Sequence, residues 1–411
     1  MTLSASRREF LKLGLLSGVP LLAPALSFGQ AVSNGAADRD VLVVIFQRGA
    51  MDGLNAVVPH FDPDYFRLRP QLALPRPGQG ADAVLDLDGR YGLHPALAPL
   101  QSIYTQGRLA VVHAIGAPSG SRSHFSSQDL MERAVLALPS VSSGWLNRHL
   151  GSIGNSGIFQ GIGIGTAVPR SLAGPAPVLG VNEFERFALD THSARPDALR
   201  AALDSLHAHA QSLDTTALAA FSAIDGLAAA DPAQFVAANG AAYPTTDFGR
   251  RLQQIAQLIK ADIGLEVATV DIGGWDHHFD EASRLRPLLD DFARSLAAFN
   301  TDLGVRMSRV VVISMSEFGR RAYENASGGT DHGSGNCMFV MGGGVQGGRV
   351  YADWPGLADS SLVQGDLAIT TDYRRVLSEL LRKRRGETSL DHVFPDLGPA
   401  AELGVFSTVP T

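Results

Sequence analysis

One cysteine, Cys337, stands in 411 residues, so no internal disulfide staples the chain, whatever redox compartment it occupies. Its setting, GNCMFVMGGG, reads as a buried strand in which a thiol acts as a small core residue. Charged residues are sparse at 18%, with 34 Lys plus Arg against 41 Asp plus Glu. They form no polybasic or polyacidic block, which argues against nucleic acid as a partner. Internal repeats and low-complexity linkers are also missing. Beyond the first 31 residues no run of about 18 apolar residues occurs, so no membrane-spanning helix is expected in the mature chain.

What the N-terminus does contain is SRREFLKLGLLSGVPLLAPALSFGQA. Arg7 and Arg8 make a charged region, an apolar stretch runs from Leu13 to about Leu26, and Gly29 and Ala31 supply small residues for cleavage. The string from Ser6 to Lys12 resembles a twin-arginine signal, a route for proteins exported already folded. Residues 1–31 are therefore expected to be a signal peptide and the mature protein to be periplasmic or secreted. Cleavage removes three bases (Arg7, Arg8, Lys12) and one acid (Glu9), which takes the formal charge from −7 to −9.

Apolar, β-branched runs recur at 40–46, 108–116, 265–274, 309–319 and 337–344. Each ends in a polar or Gly-containing turn, as strands buried on both faces do. Between them, apolar residues return every three or four positions near 94–107, 126–137, 248–261 and 281–304, the helical period. Alternating strands and helices predict an α/β fold: a mostly parallel sheet sandwiched by helices, one domain over 38–408. The Ala-rich stretch near 195–232 is expected to be a helical insertion. Its His207 and His209 are two apart and so face away from each other on a helix. In such sheets, site residues collect past the carboxyl ends of the strands.

Five strand-end segments carry candidate chemistry. GGWDHHFD, at 273–280, offers Asp276 and His278, a carboxylate and an imidazole that suit one divalent cation, with His277 facing elsewhere. VVVISMSEFGRR delivers Glu317 as a carboxylate ligand, beside Arg320 as an anion-binding cation. GGTDHG adds Asp331 and His332. These return to the end of the sheet that carries Glu317 only if the following strand is an antiparallel edge addition. QRGAMDGLN contributes Asp52 as a further ligand and Arg48 as a cation, with Gly49 and Gly53 permitting close backbone approach. GAPSGSRSHFSSQD places Arg122 and Ser123 where a helix begins and its free N–H groups favour an anion. A hydroxyl there serves as a nucleophile if a metal lowers its pKa. Each segment also has a plainer reading: helix capping by Asp52, Asp276, Ser123 or Ser126, and a surface ion pair for Glu317.

The motifs FQRGAMDGLNAVVP, SRSHFSSQD, GGWDHHFD, SEFGRR and DHG before a Gly-rich strand resemble the domain-of-unknown-function 1501 family over essentially the whole mature length. That family is similar to a distant branch of the alkaline phosphatase and sulfatase superfamily. The resemblance implies an alkaline-phosphatase-like fold and one or two divalent metals (Zn, Mn, Ca or Mg) at strand ends, with Asp52, Asp276, His278, Glu317 and His332 on matching positions. It also implies hydrolysis of a small anionic phosphate or sulfate ester or a glycan. Departures are visible: Glu317 is followed by Phe318 where a carboxylate–His pair is usual, which weakens a second metal site, and no standard nucleophile motif occurs. Two other classes stay open, a non-catalytic periplasmic protein that binds a metal or an anion, and a secreted scaffold. The only macromolecular partner expected is the twin-arginine translocation machinery.

Overall fold

The computed structural model describes residues 40–137, 141–154, 159–165, 167–182, 226, 231–399 and 401–409. The expected signal peptide lies outside them, as does nearly all of the expected insertion near 195–232. No helix among the described residues is long and apolar enough to cross a membrane.

The sheet is built on β1 (Val41–Arg48), every central residue of which is buried. It pairs in parallel with β5 (Val267–Gly273) on one side and β6 (Val310–Met315) on the other. The remaining strands are β2 (Leu109–Gly116), β3 (Gly161–Ile164), β4 (Leu179–Val181), β7 (Asn336–Gly342), β8 (Arg349–Tyr351) and β9 (Thr371–Asp372). They lie in the order β8-β2-β7-β6-β1-β5-β3-β4, and β9 extends the β8 side of β2. Every strand points the same way except β7, which is antiparallel to both β2 and β6.

That strand was expected at an edge. It lies inside, because β2 closes over its far side and leaves all seven β7 residues buried. Running β7 backwards has the anticipated effect, since the loop ahead of it starts at the carboxyl end of β6 and stays there. Residues 316–335 fold back on themselves through an antiparallel bridge between Arg320 and His332, with Gly333 N–H donating to the Gly319 carbonyl at 2.8 Å.

Alternation along β1 assigns its side chains to two apolar layers, as period-two geometry requires. Val43 and Ile45 face α1 (Ala98–Thr105), α4 (Asp247–Lys260) and α5 (Glu281–Leu303), while Leu42, Val44 and Phe46 face α3 (Trp145–Ser152), α6 (Tyr373–Arg385) and the end of α2 (His124–Arg133). Helix α5 shows why its sequence is a helix. Leu285, Leu289, Phe292, Leu296, Phe299 and Leu303 recur at steps of four and three, and none is more than 2% exposed. Burying six such side chains contributes on the order of 10 kcal/mol before conformational entropy is subtracted. A small three-stranded antiparallel ribbon, Val57–Val58, Gly92–Leu93 and Leu85–Asp86, follows β1.

Candidate metal centre

Three loops meet at the carboxyl edge of the sheet: the exits of β2, β5 and β6, the last running into β7. The β1 exit is tucked beneath them. Gly49 has φ +119°, and a Cβ there would stand 2.7 Å from the Asp276 amide nitrogen. Only glycine allows both that conformation and that approach. Gly329 permits a second close approach, where a Cβ would come within 2.4 Å of the His278 carbonyl carbon.

On this scaffold three imidazoles converge. His332 Nε2 lies 3.0 Å from His124 Nε2 and 3.0 Å from His278 Nε2. Asp276 completes the group, with Oδ1 3.0 Å from His278 Nε2 and 3.2 Å from His332 Nε2, and Oδ2 3.4 Å from His124 Nε2. The donor atoms of His124, Asp276 and His332 all fall within 4.8 Å of one another. Side-chain exposure of the four runs from 23% to 45%, so one side of the cluster is open to solvent.

Behind each ring an oxygen fixes the tautomer. His124 Nδ1 donates to Glu317 Oε1 at 2.7 Å, His278 Nδ1 to Asp331 Oδ1 at 3.0 Å and His332 Nδ1 to the Arg122 carbonyl at 3.0 Å. Carboxylates and carbonyls only accept, so in the neutral rings the protons sit on Nδ1 and all three Nε2 lone pairs face inwards. Bare lone pairs 3.0 Å apart repel unless a positive charge lies among them. A nitrogen-rich set with one carboxylate, backed by a hydrogen-bonded outer layer, fits a divalent ion such as zinc, manganese or iron.

The electrostatics agree with these contacts. The hydrogen bond to Glu317 raises the pKa of His124, while burial and the neighbouring His124 lower that of His332. Burial pushes Asp276 and Glu317 up, but both end below the ordinary carboxylate value. Arg320 outweighs burial at Asp276; His124, Gln128 and the Gly49 amide do so at Glu317.

The structure brings Asp276, His278 and His332 together from two loops, and turns His277 away into a buried position 3% exposed. Burial there lowers the imidazole pKa to about 4. Four of the remaining candidates sit elsewhere than expected. Glu317 is not among the facing donors: Oε1 already accepts from the Gly49 amide at 2.9 Å, Gln128 at 2.8 Å and His124. Asp331 stands behind His278 rather than beside it. Asp52 is 1% exposed, with both oxygens on the Arg69 guanidinium. Arg320, expected to hold an anion, is buried and spends its N–H groups on the carbonyls of Ala50, Gly49, Thr330 and Trp275 and on Asp276 Oδ1 at 2.5 Å.

Arg48 is likewise engaged, by Asp271 at 2.6 Å, Gln128 at 3.1 Å and Glu132 at 3.2 Å. Among the described residues Arg122 is anchored through one nitrogen, Nη2 to Asp366 Oδ2 at 2.5 Å. Ser123 is exposed at the start of α2 and its side chain caps nothing, and the Asp52 side chain makes no cap either. The fourth member of the cluster, His124, was passed over in the sequence. It stood inside SRSHFSSQD among hydroxyls that drew the nucleophile reading, and its only signal was an imidazole just past a strand end.

Fold and cluster together define a mostly parallel α/β protein with a three-histidine, one-aspartate group at the carboxyl edge of its sheet. The chain belongs to the family described as protein of unknown function (DUF1501), whose model matches residues 110–381. No curated protein matches it. Among solved structures it is similar to the C-terminal periplasmic domain of EcEptC from Escherichia coli, at 8% identity and TM-score 0.41, covering 93% of each chain. It is also similar to BT1596, a 2-O GAG sulfatase, at 8% identity and TM-score 0.33, covering 75% of this chain and 65% of that one. A third is the alkaline phosphatase from the Antarctic bacterium TAB5, at 10% identity and TM-score 0.31, covering 76% and 94%. Overlaps this loose say nothing about what the chain binds or catalyses.

Proposed function

We propose that this protein is an exported, metal-dependent hydrolase acting on phosphate or sulfate esters. The observation that carries the reading is the convergence of three Nε2 lone pairs on Asp276 while every Nδ1 is committed to an oxygen. His124, His278, His332 and Asp276 would hold the ion. When bound, such an ion polarises an ester oxygen and makes a coordinated water a competent nucleophile near neutral pH.

The other roles belong to the chain itself. Glu317, Asp331 and the Arg122 carbonyl keep the rings in the ligating tautomer. Of the three arginines expected to hold an anion, Arg122 is the one that the described residues leave with unspent N–H groups for a substrate. Arg48 is saturated by two carboxylates and an amide, and Arg320 by backbone carbonyls and Asp276. The Arg122 guanidinium is held from behind by the buried Asp366, which also accepts from Ser334 Oγ at 2.7 Å. The start of α2 adds partial positive charge beside it.

A second reading is favoured by one feature of Ser123. Among the described residues its hydroxyl meets no imidazole or carboxylate, and the nearest ring in sequence, His124, has both nitrogens engaged. A metal and anion binder that turns nothing over fits that as well. The test is elemental mass spectrometry on the mature protein, purified without added metal or chelator, and on His124→Ala, His278→Ala and His332→Ala. A screen with 4-nitrophenyl phosphate and 4-nitrophenyl sulfate accompanies it. Bound metal lost in all three variants together with turnover supports the hydrolase, and bound metal without turnover supports the binder. A metal-free wild type sinks both.

A further inference from the structure

The resemblance implies one or two divalent ions and puts Asp52 on a metal-binding position, and the residues around Asp52 do not fit an ion. Its carboxylate is gripped by both ends of the Arg69 guanidinium, with Arg69 Nη2 at 3.0 Å from Oδ1 and Nη1 on Oδ2. Arg69 is pinned in turn by the carbonyls of Ala322 at 3.0 Å and Arg321 at 2.8 Å. Neither side chain of this pair is more than 1% exposed.

Glu281 is the other buried carboxyl here. Burial and the adjacent Asp52 charge push its pKa well up. Its Oε2 accepts from Thr330 Oγ1 at 2.6 Å. Between Asp52 and the histidines stands Arg320, on Asp276 at 2.5 Å and close enough to Asp52 to favour its ionised form. Charge is therefore already balanced on this side, with Arg69 opposite Asp52 and Arg320 opposite Asp276. A divalent ion added there would bring two uncompensated charges into a buried place closed to solvent, which is prohibitively costly.

We propose that the chain holds a single divalent ion, and that the guanidinium of Arg69 occupies the place at Asp52 where a second ion would bind. This rests on the metal-centre reading above and adds to it. With one ion, the second positive group facing an anionic ester is Arg122, not another metal. Asp52 and Arg69 are then structural elements that fix the β1 exit under the cluster.

The experiment is native mass spectrometry of the mature wild-type protein and of Asp52→Asn, each with excess Zn(II), with anomalous diffraction at the zinc edge on wild-type crystals. One zinc per chain in both proteins, and one anomalous peak among the three histidines, is the expected result. Two per chain in the wild type falling to one in Asp52→Asn, or a second peak at Asp52, overturns the inference and leaves the metal-centre reading standing. No zinc at all overturns both. If Asp52→Asn does not fold, the wild-type stoichiometry and the anomalous map decide the matter without it.

Discussion

Glu317→Gln separates two roles for one carboxylate. Sequence pattern nominates Glu317 as a ligand; the structure puts it behind His124, accepting from the imidazole at 2.7 Å and from Gly49 and Gln128. Glutamine keeps the volume and one carbonyl oxygen. It loses the negative charge that strengthens the His124 bond and makes the ring a better donor to a metal. Disturbing an outer partner of this kind weakens metal affinity by about 10- to 100-fold, or roughly 1.4 to 2.8 kcal/mol. Removing a ligand outright, as in His124→Ala, costs more. The assay is competition for Zn(II) against a chromophoric chelator, with thermal unfolding of the metal-free proteins as a control for folding. Glu317→Gln should still take up one equivalent at saturation, with affinity reduced within that range. Unchanged affinity would refute the orienting role. Loss of binding even at saturating zinc, in a folded variant, would return Glu317 to the ligand set.

Three further outcomes follow from the geometry. Arg320→Met should destabilise the fold by about 3 to 5 kcal/mol in urea titration, because it strands four carbonyls and Asp276 without their donor; a cost below about 1 kcal/mol would show that water replaces it. Gly49→Ala should cost about 1 to 3 kcal/mol or more, from φ +119° and a Cβ at 2.7 Å from the Asp276 nitrogen, and should weaken zinc binding along with stability. His113 is fully buried, its Nδ1 accepting from the Ala114 amide at 2.8 Å and its Nε2 against the Val57 carbonyl at 2.9 Å. Burial lowers its pKa from 6.5 to about 4. A depressed folded-state pKa means the unfolded chain binds the proton first, so this contribution is complete above pH 6.5 and is lost as pH falls towards 4. It amounts to about 3 kcal/mol. Urea midpoints of wild type and His113→Gln between pH 7 and 4 should converge at the acid end, and parallel curves would refute the assignment.

Much of the fold was legible in the order of residues. The apolar runs near 40–46, 108–116, 265–274, 309–319 and 337–344 all became strands, and the stretches at 248–261 and 281–304 became α4 and α5 almost to the residue. In the site, Asp276, His278 and His332 were legible because each stands in a glycine-bearing turn beside such a run. Three things were not. The sequence does not say that β7 lies inside the sheet, since an antiparallel strand buried on both faces reads the same at an edge or in the middle. His124 carried no spacing to a second ligand. Asp52 looked like any strand-end carboxylate, because the Arg69 that neutralises it comes from the excursion after β1, seventeen positions on.

Residue order alone decided what belongs to consecutive residues. Periodicity of apolar side chains set strands, helices and their buried faces, and glycines set the turns in which the polar residues wait. Tertiary structure decided which polar atoms face each other. His124 meets His332 across 208 positions and His278 meets it across 54, and whether a carboxylate there becomes a ligand, an orienter or the partner of a guanidinium depends on which side chains the packed sheet brings within 3 Å of it.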